Sequence, residues 1–172
     1  RFGDILHLSK IGEKEWVSFI RRGFKTTGKG ITAEQASFIV QAMSSHSWYV
    51  QQLAHYVWLK CDLKVEDGIL NEALEELINT NSPLYQNTVE QLSRTQLNLL
   101  VAIAHGERKL TSKRVMDSYK LGTPRNVSKN RDVLIRSDII YTEGDDYLFL
   151  DPAFAHWFRA QFLKNKLPLF AK

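Results

Sequence analysis

Apolar residues recur at three- and four-residue steps along most of the chain, the spacing of amphipathic helices. Trp16, Phe19, Ile20 and Phe24 predict a helix over about 13–24. Thr32 then caps a second helix whose apolar side is Ala36, Ile39, Val40 and Met43. A third opens at Ser47 and carries Trp48, Val50, Leu53, Ala54, Val57 and Trp58, with its aromatic rings read as packing. The fourth, from Glu66 to about Asn79, has the wide stripe Ile69, Leu70, Ala73, Leu74, Leu77 and Ile78. Four such helices on short links predict a small bundle. Before them, RFGDILHLSKI reads as a short strand ending near Gly12 with no earlier partner, which suggests a piece of a longer protein.

The pattern changes after residue 79. NTNSP (79–83) predicts the end of one helix and, through Ser82 and Pro83, the start of a connecting helix with Leu84, Tyr85, Val89 and Leu92. Ser93 and Gln96 form a capping box ahead of TQLNLLVAIAHG, with Gly106 as the stop. A short polar helix in TSKRVMDSYK (111–120) halts at Gly122. Thr123 as cap and Pro124 at the first helical position open the next, through Arg136. Ile139–Thr142 and Tyr147–Leu150 flank a polar turn, a hairpin signal. Asp151 and Pro152 start a last helix with Phe154, Trp157, Phe158 and Phe162, and the final KNKLPLFAK has no period and reads as loose. The expected fold is mainly α: a four-helix bundle at 13–81, then a winged helix-turn-helix with a small β-hairpin at 82–172.

Charge sharpens this division. Residues 93–172 hold 14 basic and 8 acidic side chains, +6, against 9 and 11, −2, for residues 1–92. Between Arg108 and Arg136 nine Lys or Arg meet two acids, a local +7. On the helix opened by Thr123, Arg125, Ser128, Lys129, Asp132 and Arg136 share one face, with Val127 and Leu134 on another. In a winged helix-turn-helix this second helix can enter a DNA major groove, so Lys113, Arg114, Thr123, Arg125, Asn126, Ser128, Lys129 and Arg136 are the candidate contacts to double-stranded DNA.

Several chemistries are excluded. One cysteine, Cys61, permits no internal disulfide or Cys-based metal cluster and fits a reducing cytoplasm as a core filler. No apolar run reaches the ~20 residues of a membrane helix. GFKTTGKG at 23–30 mimics a phosphate loop. Gly30 rather than Ser or Thr follows its lysine, however, and a helix rather than a strand leads in, so it reads as a helix-to-helix turn. His7, His46, His55, His105 and His156 lack metal-ligand spacing, and Glu75 and Glu76, being adjacent, diverge on a helix. No catalytic residue and no metal site is expected.

Taken together, RFGDILHL, SSHSWYVQQLAHYVW (44–58), the winged stretch LTSKRVMDSYKLGTPRNVSKNRDVLIRSDII and LFLDPAFAHWF resemble the C-terminal part of the archaeal-type P-loop ATPases, relatives of the AAA+ and signalling NTPases also common in Bacteroides-like bacteria. The resemblance implies that residues 1–12 are the last strand of an ATPase core lying upstream, 13–81 a helical lid and 82–172 the winged helix. It implies ATP and magnesium for the full-length parent, and no cofactor or activity for this part alone. Family members place Gly-x-Pro against the nucleotide where this chain has Ser45, His46 and Ser47, so these three are nucleotide-proximal by that resemblance, or else His46 and Ser47 simply cap the third helix. Two other readings stand beside it: a free-standing winged-helix transcription regulator, and a protein-interaction or autoinhibitory module.

Overall fold

The computed structural model describes residues 10–170, so the strand expected at the start of the chain lies largely outside the described residues. These residues fold as eight helices and one hairpin: α1 Glu13–Thr26, α2 Ala33–Ala42, α3 Ser47–Lys60, α4 Asp67–Glu90, α5 Arg94–Ala104, α6 Lys113–Tyr119, α7 Pro124–Arg136, β1 Ile140–Glu143, β2 Asp146–Phe149 and α8 Pro152–Phe162. They form two compact units, 10–77 with 168–170, and 78–167.

The first unit packs α1, α2, α3 and the start of α4 around Trp16, Ile20, Phe24, Ile39, Met43, Leu53, Val57, Leu70 and Leu74. Thr32 and Gln35 make a full capping box at α2. Gln35 is buried at 3% exposure, and its amide also donates to the Val65 carbonyl (3.0 Å) and to Asp67 Oδ1 (2.9 Å). A buried amide is tolerated because its groups find partners, and here those partners tie α2 to the start of α4.

The loop that mimics a phosphate cradle has structural work instead. Gly30 forms an isolated parallel bridge with Lys64, through Gly30 N to Leu63 O (2.8 Å) and Val65 N to Gly30 O (2.9 Å). Lys29 Nζ lies 4.3 Å from the Trp58 ring centre and donates to the carbonyls of Trp58 (2.6 Å) and Cys61. A cation there complements the negative end of α3. Cys61 is buried at its side, and burial pushes its thiol pKa up, with the charge of Lys29 opposing.

Two aromatic side chains expected to pack do not. Phe19 is 49% exposed and meets Trp16 edge-on, and Trp48 is 68% exposed at the start of α3. Helical spacing names a face, but the width of the partner surface decides how much of that face is covered.

The break expected at NTNSP is absent. α4 runs through it with Pro83 inside, and Ser82, instead of capping a new helix, accepts a hydrogen bond from Trp157 Nε1 (2.9 Å). Proline forfeits one backbone hydrogen bond there, and the packing of the flanking turns keeps the backbone helical. The final segment is also more ordered than its sequence suggests. Phe170 N donates to Asn71 Oδ1 (2.8 Å), and its ring meets Phe38 at 5.5 Å.

In the second unit, α5, α7, α8 and the hairpin enclose Leu99, Leu100, Ile103, Val115, Leu121, Val127, Leu134, Ile140, Phe149 and Phe158. Tyr85, Phe149, Phe154, Trp157, Phe158 and Phe162 form a chain of ring contacts 4.5–6.4 Å apart. The two antiparallel strands pair Ile140 with Phe149 through Glu143 with Asp146. Gly144 holds φ 60° at the first central turn position, where a type II′ hairpin requires glycine. A lone hairpin is marginal in water, and burying Ile140 and Phe149 is what anchors this one.

Candidate nucleic-acid interface

α6, α7 and the turn between them are built by local rules. Ser112 accepts from Val115 N at the start of α6, and Thr123 accepts from Asn126 N (3.3 Å) at the start of α7, with Pro124 at the first helical position. α6 ends at Tyr119, three residues before the glycine expected to stop it. Lys120 takes the left-handed conformation (φ 53°), Lys120 N bonds Asp117 O (3.4 Å) and Leu121 N bonds Met116 O (2.9 Å). This is the double hydrogen bond of a Schellman cap with lysine in the glycine position. It drives Leu121 inward, fully buried, and fixes the turn that launches α7. α7 ends the same way: Asp138 is left-handed (φ 53°), Asp138 N bonds Ile135 O (3.1 Å) and Ile139 N bonds Leu134 O (3.0 Å).

Buried Val127 and Leu134 fix which side of α7 faces the core. Arg125, Asn126, Lys129, Asp132 and Arg136 are all exposed on the helix, Thr123 is exposed at its cap and Ser128 is half-buried. Lys113 and Arg114 are exposed on α6.

Three cations of the basic stretch are engaged with carboxylates. Arg114 grips Glu107 with both guanidinium nitrogens (Nη1 to Oε1, 2.9 Å), and those hydrogen bonds hold the Glu107 carboxyl below the usual carboxylate range. Arg108 makes a two-point contact with Asp146 on β2 (Nη2 to Oδ2, 3.1 Å). Arg131 bonds its neighbour Asp132 (Nη2 to Oδ1, 2.8 Å). Lys109, Lys113, Lys120, Arg125, Lys129 and Arg136 are exposed and form no ion pair among the described residues. Sequence reasoning assigned Lys109 and Lys120 no role, because neither lies on the helix faces that the periodicity defines. The Arg114 and Arg108 contacts were equally out of its reach, since they join residues 7 and 38 apart.

The nucleotide-proximal candidates lie in the first unit. Ser44 and Ser45 are consecutive left-handed residues (φ 50° and 56°) leading into α3. His46 occupies the N-cap position without a side-chain capping bond, so the capping role weighed for it is not formed. Its Nδ1 is buried without a hydrogen-bond partner, and its ring meets Tyr49 edge-on at 5.0 Å. Among the described residues no group of three or more His, Cys, Asp or Glu could hold a metal ion, and no helix is long and apolar enough to cross a membrane.

Helix, tight turn, exposed basic helix and two-stranded ribbon, closed by an aromatic helix, define a winged helix-turn-helix. Residues 83–160 match the family model described as "Probable winged helix domain". No curated protein and no solved structure matches the chain. The resemblance of the first unit to an ATPase lid has no counterpart among these findings.

Proposed function

We propose that the second unit binds double-stranded DNA with α7 in the major groove. The observation that carries this reading is the outer face of α7, where Arg125, Lys129 and Arg136 are exposed without an ion pair among the described residues. Unneutralised cations at helical spacing suit a phosphate-lined groove, while Asn126 and Arg125 in the first turn suit base edges. Lys113 on α6 adds a phosphate contact from the preceding helix, and Arg114, held by Glu107, contributes less. Changing Arg125 and Lys129 together to Ala lowers affinity for a duplex of about 25 base pairs by about 30- to 100-fold, read by fluorescence anisotropy, with the thermal midpoint unchanged. Unaltered affinity would sink the proposal.

The first unit, on this reading, serves as the lid of a P-loop ATPase whose core supplies the phosphate loop and magnesium site, and alone it hydrolyses nothing. One observation favours this. Ser45 holds a left-handed backbone where the resembled family has glycine, and the partnerless Nδ1 of His46 adjoins it at the α3 N-terminus. ATP hydrolysis by the purified chain would contradict the inert claim.

A further inference from the structure

The hairpin is the odd member of this DNA-facing unit. From residue 137 to 158 there is no Lys or Arg, against five acids: Asp138, Glu143, Asp145, Asp146 and Asp151. Just before it, residues 108–136 carry +7. Three of the five acids sit at the wing tip, Glu143 and Asp145 exposed around Gly144 and Asp146 beside them. Asp146 is held by Arg108, so a cation that could have reached a phosphate is spent on the wing itself. Arg131 is similarly bound to its neighbour Asp132. The hairpin thus offers phosphates no cation and presents carboxylates at the point where a wing would meet the backbone next to the groove that α7 enters. Within a Debye length of about 8 Å such groups repel, and nearer contact would also strip their water.

We infer that this winged helix holds duplex DNA through α6 and α7 alone, with the hairpin carboxylates acting as an electrostatic stop that keeps the wing off the neighbouring phosphates and confines contact to one major groove. The inference rests on the DNA reading of α7 and adds what that reading leaves open, namely which surface is excluded from the complex. It follows that affinity in one copy is modest and strongly salt-dependent, because only the helix cations displace counterions.

The test uses the full chain, a duplex of about 25 base pairs, and three variants besides wild type: E143Q/D145N at the wing, E72Q/E75Q as a charge-matched change in the first unit, and R125A/K129A. The expected result is a three- to fivefold gain for the wing variant at about 50 mM salt, fading at high salt, with a gain of less than about 1.5-fold for the matched control. Hydroxyl-radical footprints of the wing variant should extend into the flanking minor groove. Equal gains in the two neutralised variants, or none in either, overturn the electrostatic stop while the DNA reading survives. A loss of affinity in E143Q/D145N overturns it too, and would mean that the wing carboxylates accept hydrogen bonds from bases. If R125A/K129A binds as wild type does, the DNA reading fails and this inference falls with it.

Discussion

α3 and α7 are helices of nearly equal length, 14 and 13 residues, each buried along one side by aliphatic residues: Val50, Leu53 and Val57 in one, Val127 and Leu134 in the other. Their outer faces have nothing in common. α3 carries no formal charge before Lys60 and exposes Trp48 and Leu59, whereas α7 exposes Arg125, Lys129, Asp132 and Arg136. The inner residues of both helices do the same thermodynamic work, so they say little about what either helix is for. Function is written on the side that packing leaves free.

That contrast can be broken from the inside first. Leu134 is fully buried, and Leu134→Ala should cost about 2–5 kcal/mol, read as a lower denaturant midpoint. Because the cavity would undermine α7 itself, DNA binding should weaken with it. A cost below about 1 kcal/mol would show that this side of α7 is not the core. The outer face should respond differently, as R125A/K129A tests, with affinity changing and stability not.

A smaller effect is expected at the turn that aims α7. Lys120 holds φ 53°, a conformation unfavourable for a side chain by about 1 kcal/mol. Lys120→Gly should therefore raise stability by about 0.5–1 kcal/mol while leaving DNA affinity nearly unchanged, since Lys120 lies outside both helices. A destabilised variant would mean that the lysine side chain contributes contacts of its own.

The smallest change concerns Glu107. Its carboxyl pKa is lowered chiefly by the Arg114 hydrogen bonds, so the interaction is present above the ordinary carboxylate pKa and lost as the pH falls through the depressed value. Near neutral pH, Glu107→Gln should lower the thermal midpoint slightly, by the small contribution of an exposed pair, and release Arg114 toward DNA, raising affinity about two- to threefold. The wild-type midpoint should fall more than that of Glu107→Gln as the pH drops below about 4.5. Identical acid profiles would show that the pair contributes nothing.

Much of the fold was legible because helix starts are local chemistry. Thr32, Ser93, Thr123 and Asp151 each cap the helix they were expected to open. Stops were less legible. Gly106 ends α5 as expected, but Lys120 rather than Gly122 ends α6, since a lysine can be held left-handed when the buried Leu121 behind it repays the strain. NTNSP carries every local sign of a break, yet α4 passes through it, because packing outweighed a proline penalty that sequence alone shows uncompensated. For the candidate interface, the exposed face of α7 followed from periodicity. The engagement of Arg114 and Arg108 did not, because their partners arrive through the fold.

The central claim, that the cations of α6 and α7 face phosphate, is tested most directly by titrating the full chain with duplex DNA over a range of salt concentrations. Contacts from Lys113, Arg125, Lys129 and Arg136 predict a slope of log affinity against log salt of about −3 to −4, losing roughly a hundredfold between about 50 and 200 mM. A slope near zero, or no binding at low salt, would contradict it.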